Sequence, residues 1–406
     1  MSIASAEPQR IRPLLVVTFG KATFLSALTS DAFLPMIVAL ADAFSADVSR
    51  VQLGITAFFF GGTIGQAIVG PLADRFGRRP VLLTGIAIFC LSTAFSARAA
   101  DIWVLIALRF IQGLCAFTGR IVIRAVIRDM YSREMGARML SYTTMIGTMI
   151  PIFGPVIAGQ LLLLFGWQSV FLFMSAFGLL VFALVWFNLK ETLAQKDEHA
   201  IRPFVILGNF ADFLRNRTFL VYSVLAFLPT MGLIAFITAS APVLIGTHGL
   251  NAREFSLAFA LVMVTNTAAS FANAQLLRRL GFDRMIFIGT TICTLMGALM
   301  LTLAIIGIQT TAAIIGPMMI FMVGSVFITN QALVSAVMPF PDRAGAASSL
   351  IGIMQGFFSA TLVSFALGFF PKDTAIPMGS VLLFAGACAI LLYLGGARRI
   401  EARAPA

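Results

Sequence analysis

The chain has 406 residues, 59% of them hydrophobic and 11% charged, whereas soluble globular chains are about 45–50% apolar with glycine included and about 25% charged. Mean hydropathy is +0.97 and no polar stretch is long enough for a separate domain, which excludes a soluble protein and a soluble domain on one anchor helix. The formal net charge of +11, from 28 Lys and Arg against 17 Asp and Glu, would suggest nucleic acid in a soluble chain and reads here as membrane orientation.

A spanning helix needs about 20 apolar residues, so twelve spans with short turns fill this length and six or seven leave apolar sequence unexplained. Apolar runs bounded by Gly, Pro or charge predict spans at about residues 14–41, 51–73, 80–97, 102–127, 137–164 and 168–188. Arg10 and Arg12 precede the first run, which is too long for a signal peptide and reads as a retained helix. A polar linker follows at 190–218. Its positions Phe204, Leu207, Phe210, Phe213 and Leu214 share roughly one helical face, so it reads as an interfacial amphipathic helix. Six further spans are predicted near 219–246, 254–277, 284–306, 311–336, 344–370 and 375–396. The expected fold is an all-α membrane protein with two six-helix halves, residues 1–189 and 219–406. With the amino terminus inside, the connections place 20 Lys and Arg on the cytoplasmic side against Arg50, Arg98, Arg253 and Lys372 outside, so both termini are expected in the cytoplasm.

Two turns repeat weakly. Leu72-Ala-Asp-Arg-Phe-Gly77 follows span two and Leu276-Leu-Arg-Arg-Leu-Gly281 follows span eight, with Leu, Arg and Gly in register. A duplicated transporter with its site between the halves fits that layout. Cys90, Cys115, Cys293 and Cys388 stand alone in apolar runs and read as small hydrophobes, with no metal site and no cofactor implied.

Of the 17 acidic residues, only Asp31 lies deep in an apolar run. Burial disfavours its charged form, so a proton and a substrate can compete for one carboxylate; a permanent ion pair is the structural alternative. In span four, Arg109, Arg120 and Arg124 are 11 and 4 residues apart, within about 60° on an ideal helix, and are expected to form one basic stripe facing protein or an aqueous cavity. Arg124 is placed to snorkel to the cytoplasmic interface. Arg120 is open to three roles: attracting an anionic substrate group, tuning Asp31, or binding buried carbonyls. Among the abundant Phe and Met, Phe58, Met145, Phe236 and Met354 are candidates for an apolar cavity wall.

The loop Gly70-Pro-Leu-Ala-Asp-Arg-Phe-Gly-Arg-Arg-Pro80 resembles the signature loop of the major facilitator superfamily at Gly70, Leu72, Asp74, Arg75, Gly77, Arg78 and Arg79. The resemblance implies a conformational gate in which Asp74 meets the amino terminus of span eleven. Leu105-Ile-Ala-Leu-Arg-Phe-Ile-Gln-Gly113 resembles that family's span-four motif and implies proton coupling at Arg109. The stretch from Gly147 to Gly159, with Pro151, Gly154 and Pro155, is similar to the antiporter motif of exporters. Ser30-Asp-Ala-Phe-Leu-Pro35, Ile127-Arg-Asp-Met-Tyr131, Gly166-Trp-Gln-Ser-Val-Phe171, Lys190-Glu-Thr-Leu193, Ser240-Ala-Pro242 and Ala344-Gly-Ala-Ala-Ser-Ser-Leu350 resemble the Bcr/CflA (bicyclomycin-resistance) drug:proton antiporters, and Asp31 matches their acidic position in span one. Arg120 matches no arginine of that family.

The implied protein is a monomeric secondary transporter of the bacterial inner membrane, driven by the proton gradient. It exports small, largely apolar drugs or toxic compounds by alternating access. The alternative is export of a native metabolite, siderophore or anionic compound with Arg120 as counter-charge. A receptor that kept the fold and a membrane enzyme are the remaining classes, and no hydrolytic constellation supports the latter.

Overall fold

The structure, a computed structural model, describes residues 12–147, 149–193, 196, 210–308, 310–340, 343–368 and 374–397. These are helical with short turns, and no strand occurs among them. Among the described residues, ten helical stretches are long and apolar enough to cross a membrane.

The first pass is broken into α1 (Pro13–Thr23), α2 (Leu25–Asp31), a 3-10 turn at Leu34–Met36 and α3 (Ile37–Ala43). Pro35 explains part of the break, because proline lacks an N–H and crowds the preceding turn. Then come α4 (Val48–Phe76), α5 (Arg78–Ser96), α6 (Ile102–Ala116), α7 (Thr118–Met130), α8 (Arg133–Gly147), α9 (Met149–Phe165) and α10 (Trp167–Asn188). After residues 210–215, a short helix, the chain continues as α11 (Arg217–Ala241), α12 (Ala252–Ile305), α13 (Thr311–Val337), α14 (Ala344–Ile353), α15 (Ser359–Gly368) and α16 (Ile376–Leu392). Single π turns extend α11, bridge α14 to α15 and extend α16.

At 54 residues, α12 would measure about 80 Å, far beyond a hydrocarbon core of about 30 Å. It breaks at Gly281, where φ is 76° and ψ is 171°, so predicted spans eight and nine meet without a loop. Gly77, at the matching position of the sequence repeat, has φ 113° and ψ 152° and separates α4 from α5. Both torsions need glycine. With α1–α3, α6–α7, α8–α9 and α14–α15 each counted as one pass and α12 as two, the described helices are consistent with twelve. The linker prediction is tested only at 210–215. Residues 201–209, including Phe204 and Leu207, lie outside the described residues, as do Arg10, Arg202, Lys372 and the basic tail from Arg398.

One apolar core, including Phe19, Leu82, Phe89, Val122 and Val181, lies within α1–α10, and a larger one runs from Phe33 and Met36 to Phe236 and Phe259, joining the two halves of the chain. The halves meet most closely where α9 packs on α12 and where α4 packs on α14 and α15. At the end opposite the α4–α5 turn, the Gln52 side-chain amide donates to the Thr238 carbonyl at 2.7 Å.

Candidate functional site

A cavity of about 1020 Å³ lies between the halves, with walls from α2, α4, α7, α9, α11, α12 and α13 and from the segment containing α14. It reaches the end carrying the α4–α5 turn, where it is bordered by Gly70, Asp74, Arg78, Arg343 and Arg128, the last 74% exposed.

Asp31, the last residue of α2, sits on this wall and is only 6% exposed. It accepts a hydrogen bond from the Ser30 hydroxyl at 2.7 Å, and among the described residues no cation lies within ion-pairing distance. The expected alternative of a permanent ion pair therefore finds no partner.

Arg109 is completely buried and does not line the cavity. Its guanidinium lies between the rings of Phe33 and Phe58, 4.3 and 4.5 Å from the centroids. Nη1 donates to the Thr29 carbonyl at 3.3 Å and to Gln112 Oε1 at 2.9 Å, and Gln112 in turn donates to the Ser96 hydroxyl at 2.8 Å. Cation–π attraction and carbonyl dipoles take the place of a carboxylate here. Arg120 and Arg124 do line the cavity, on α7. The three arginines expected on one stripe divide between the two surroundings: Arg109 is held inside the protein by the Phe33 and Phe58 rings, and Arg120 and Arg124 face the cavity.

The Phe and Met candidates fall elsewhere. Phe58 is fully buried against Arg109, and the adjacent Phe59 lines the cavity in its stead. Phe236 is fully buried and stacks on Phe259 at 5.7 Å, Met145 is 53% exposed away from the cavity, and Met354 starts a π turn whose Gln355 and Gly356 face the cavity instead.

At the α4–α5 turn, Arg78 bridges Asp74 at 2.5 Å and Asp129 at 3.2 Å. Arg75 lies 5.4 Å from the Phe76 ring, and Arg79 donates to the Trp186 carbonyl at 2.9 Å. The ion-pair partner of Asp74 among the described residues is Arg78. The role that the sequence does not reveal is that of Glu191, in the Lys190-Glu-Thr-Leu193 segment. Its carboxylate accepts from the backbone N–H groups of Arg78, Arg79, Thr192 and Leu193 at 2.9–3.1 Å. Partial burial pushes this carboxyl up, and the four donors outweigh that and hold it below the usual carboxylate range. Glutamate beside a helix amino terminus also suits the positive end of the α5 dipole.

The Gly147–Gly159 stretch lies across α8 and α9. Gly147 packs against the Phe24 ring, Gly154 against Leu28, and Pro151 lines the cavity. Pro155 is inside α9. At Gly159 a Cβ would stand 2.7 Å from the Ala252 carbonyl, so glycine lets α9 and α12 cross in contact.

A cavity shared by two helical halves, with charged groups on its wall and helices long enough to span a bilayer, is the layout of a multi-pass membrane transporter. The Major Facilitator Superfamily model matches residues 21–364, and the chain belongs to that family, which makes it a secondary transporter and not an enzyme. It is 30% identical over 382 residues to a bicyclomycin resistance protein homolog of Haemophilus influenzae, covering 94% of each chain. It is 26% identical over 370 residues to multidrug resistance protein D of Escherichia coli, covering 91% of this chain and 92% of the relative. Among solved structures, a mutant of the nucleoside transporter NupG superposes with a TM-score of 0.72 at 13% identity, covering 94% of this chain and 98% of that one. An inward-facing, occupied bacterial homologue of the lysosomal transporter Spinster superposes at 0.69 with 15% identity, covering 97% and 98%.

Proposed function

We propose that the protein is a proton-driven exporter of small, largely apolar drugs or toxic compounds, acting as a monomer in the bacterial inner membrane with both termini in the cytoplasm. The observation that carries this reading is Asp31, a buried carboxylate with a hydroxyl beside it and, among the described residues, no cation within ion-pairing distance, on the wall of a cavity that both halves share. Relatives named for bicyclomycin and multidrug resistance support the substrate class.

In the proposed cycle, residues 1–189 and 219–406 rock about the cavity, with 190–218 as linker. Asp31 takes a proton from the periplasmic side, which displaces substrate outward; after reversal the proton leaves to the cytoplasm. Arg109 holds the α2 backbone in place for that titration. Residues 70–79 act as the gate, with Asp74 exchanging Arg78 for the start of α14 on closure, and the Gly159 crossing seals the opposite end. Each charge moved down 100 mV contributes about 2.3 kcal/mol, enough for about fiftyfold accumulation. In proteoliposomes with an imposed pH difference, Asp31→Asn is expected to lose uphill transport while still binding substrate. Retained uphill transport removes the coupling role.

Arg120 on the same wall favours a second reading, export of a native metabolite, siderophore or other anion. Under it, Arg120→Ala abolishes binding of anions and spares neutral drugs.

A further inference from the structure

The cavity holds seven charged side chains, and most are paired. Arg78 bridges Asp74 and Asp129, Arg128 approaches Asp129 at 3.8 Å, and Arg343 reaches Asp212 at 3.2 Å. Three remain with no oppositely charged partner among the described residues: Asp31 on α2 and Arg120 and Arg124 on α7. The two arginines are one helical turn apart, so their side chains are neighbours on one face. Both are exposed to the cavity; two like charges one turn apart disfavour each other, and an oxyanion that accepts from both relieves that repulsion.

Neither kind of simple ion satisfies this wall. A bare cation at Asp31 is repelled by the arginine pair. A bare anion at the pair is favoured when Asp31 is protonated, so proton and anion bind together, which is the linkage of co-transport and not of exchange. A molecule with an ammonium group and an oxyanion meets both. Its ammonium competes with the proton for Asp31, as exchange requires, and its oxyanion neutralises the pair. Phe59, Phe117, Leu233, Ile234 and Met263 supply apolar wall for the body between the charges, and the volume is that of a drug-sized site.

We propose that the cavity selects zwitterionic compounds, placing an ammonium group at Asp31 and a carboxylate or similar oxyanion at Arg120 and Arg124. This rests on reading the cavity as the transport site.

The test uses one molecular body in three charge states: norfloxacin, its methyl ester, which keeps only the cation, and its N-acetyl derivative, which keeps only the anion. Equilibrium binding is measured on the full-length protein in phosphatidylcholine nanodiscs. Norfloxacin is expected to bind about ten- to a hundredfold more tightly than either derivative, the range for one hydrogen-bonded charge. Arg120→Gln and Arg124→Gln should weaken norfloxacin to the level of the ester without weakening the ester, Asp31→Asn should weaken it to the level of the N-acetyl compound, and Arg120→Lys should restore most of the loss. An ester that binds as well as norfloxacin overturns the proposal, and so does a norfloxacin-to-ester ratio unchanged in Arg120→Gln. Nanodiscs with added phosphatidylglycerol separate a soluble ligand from a lipid headgroup: if that lipid abolishes the charge selectivity, the arginines hold the headgroup and the proposal fails. Proton movement in proteoliposomes is scored separately. Charge-selective binding without it supports this site and removes the exporter reading.

Discussion

The Arg109 guanidinium donates to the carbonyl of Thr29 at 3.3 Å, two residues before Asp31 on the same seven-residue helix. Arg109 therefore acts on the backbone that carries the carboxylate and not on the carboxylate itself. The Phe33 and Phe58 rings fix the guanidinium from both sides, so α2, α4 and α6 are tied at one point.

Arg109→Lys keeps a cation but loses the flat guanidinium that lies against two rings while Nη1 reaches Thr29 and Gln112. The lost cation–π and charged hydrogen-bond contributions are of order 2–3 kcal/mol. Thermal unfolding of the purified variant should drop by several degrees, and proton-driven transport should fall more than tenfold at equal membrane level. Native transport by Arg109→Lys would show that the guanidinium is not needed to position Asp31.

Much of this architecture was legible in the sequence, and the failures have definite causes. Asp31 was isolated by subtraction because ionisable groups are rare inside spans, and the repeat ending in Gly77 and Gly281 marked two positions with matching glycine-only torsions. Faces were harder to read. A helix apolar all round gives no polar side to orient it, and neighbouring positions lie about 100° apart, so choosing Phe58 over Phe59 amounted to a rotation that nothing in the sequence encodes. Spacing puts the three arginines near one face, but which of them meets protein and which meets the cavity depends on neighbours far away in the chain, here Phe33 and Phe58 around Arg109. Glu191 stands in the Lys190-Glu-Thr-Leu193 motif, but its role as a cap on α5 is not legible there, because the two α5 N–H groups it accepts from are 112 and 113 positions away.

The α9–α12 crossing makes a prediction about access. A methyl group at 159 would meet the Ala252 carbonyl and the Ser256 side chain, and backbone cannot yield as a flexible side chain can. Gly159→Ala should push α9 off α12 and loosen the end where Gln52 holds Thr238. A cysteine placed at Thr238 should then react with a membrane-impermeant maleimide added from the periplasmic side at least fivefold faster in the Gly159→Ala background. Equal labelling rates would show that the crossing does not hold that end closed.

Glu191 makes the stability of the α4–α5 end depend on pH. Its folded carboxyl sits below its ordinary value, so its contribution is fully present above the usual carboxylate range and is lost as pH falls through the folded value. Lowering pH from 7 to well below the usual carboxylate range should therefore reduce the unfolding temperature of the native protein more than that of Glu191→Gln, which has no carboxylate to protonate. Parallel pH profiles for the two proteins would mean that the four N–H bonds contribute nothing measurable.

Gly77 and Gly281 share positive φ with extended ψ, a region that costs other residues about 1–3 kcal/mol, yet their surroundings differ. A Cβ at Gly281 meets nothing within 4 Å, whereas at Gly77 it would stand 2.6 Å from Glu191 Oε2. Gly281→Ala should therefore pay the backbone cost alone, and Gly77→Ala should add the loss of the Glu191 cap. A double-mutant cycle separates the two contributions. Glu191→Gln on the Gly281→Ala background should lower the unfolding temperature by as much as it does alone, because the sites share no contact. On the Gly77→Ala background it should lower it by less than half as much, since the methyl group has already displaced the carboxylate. Full additivity at both glycines would mean that the Glu191 side chain moves aside without loss, and that Gly77 is needed only for its torsion.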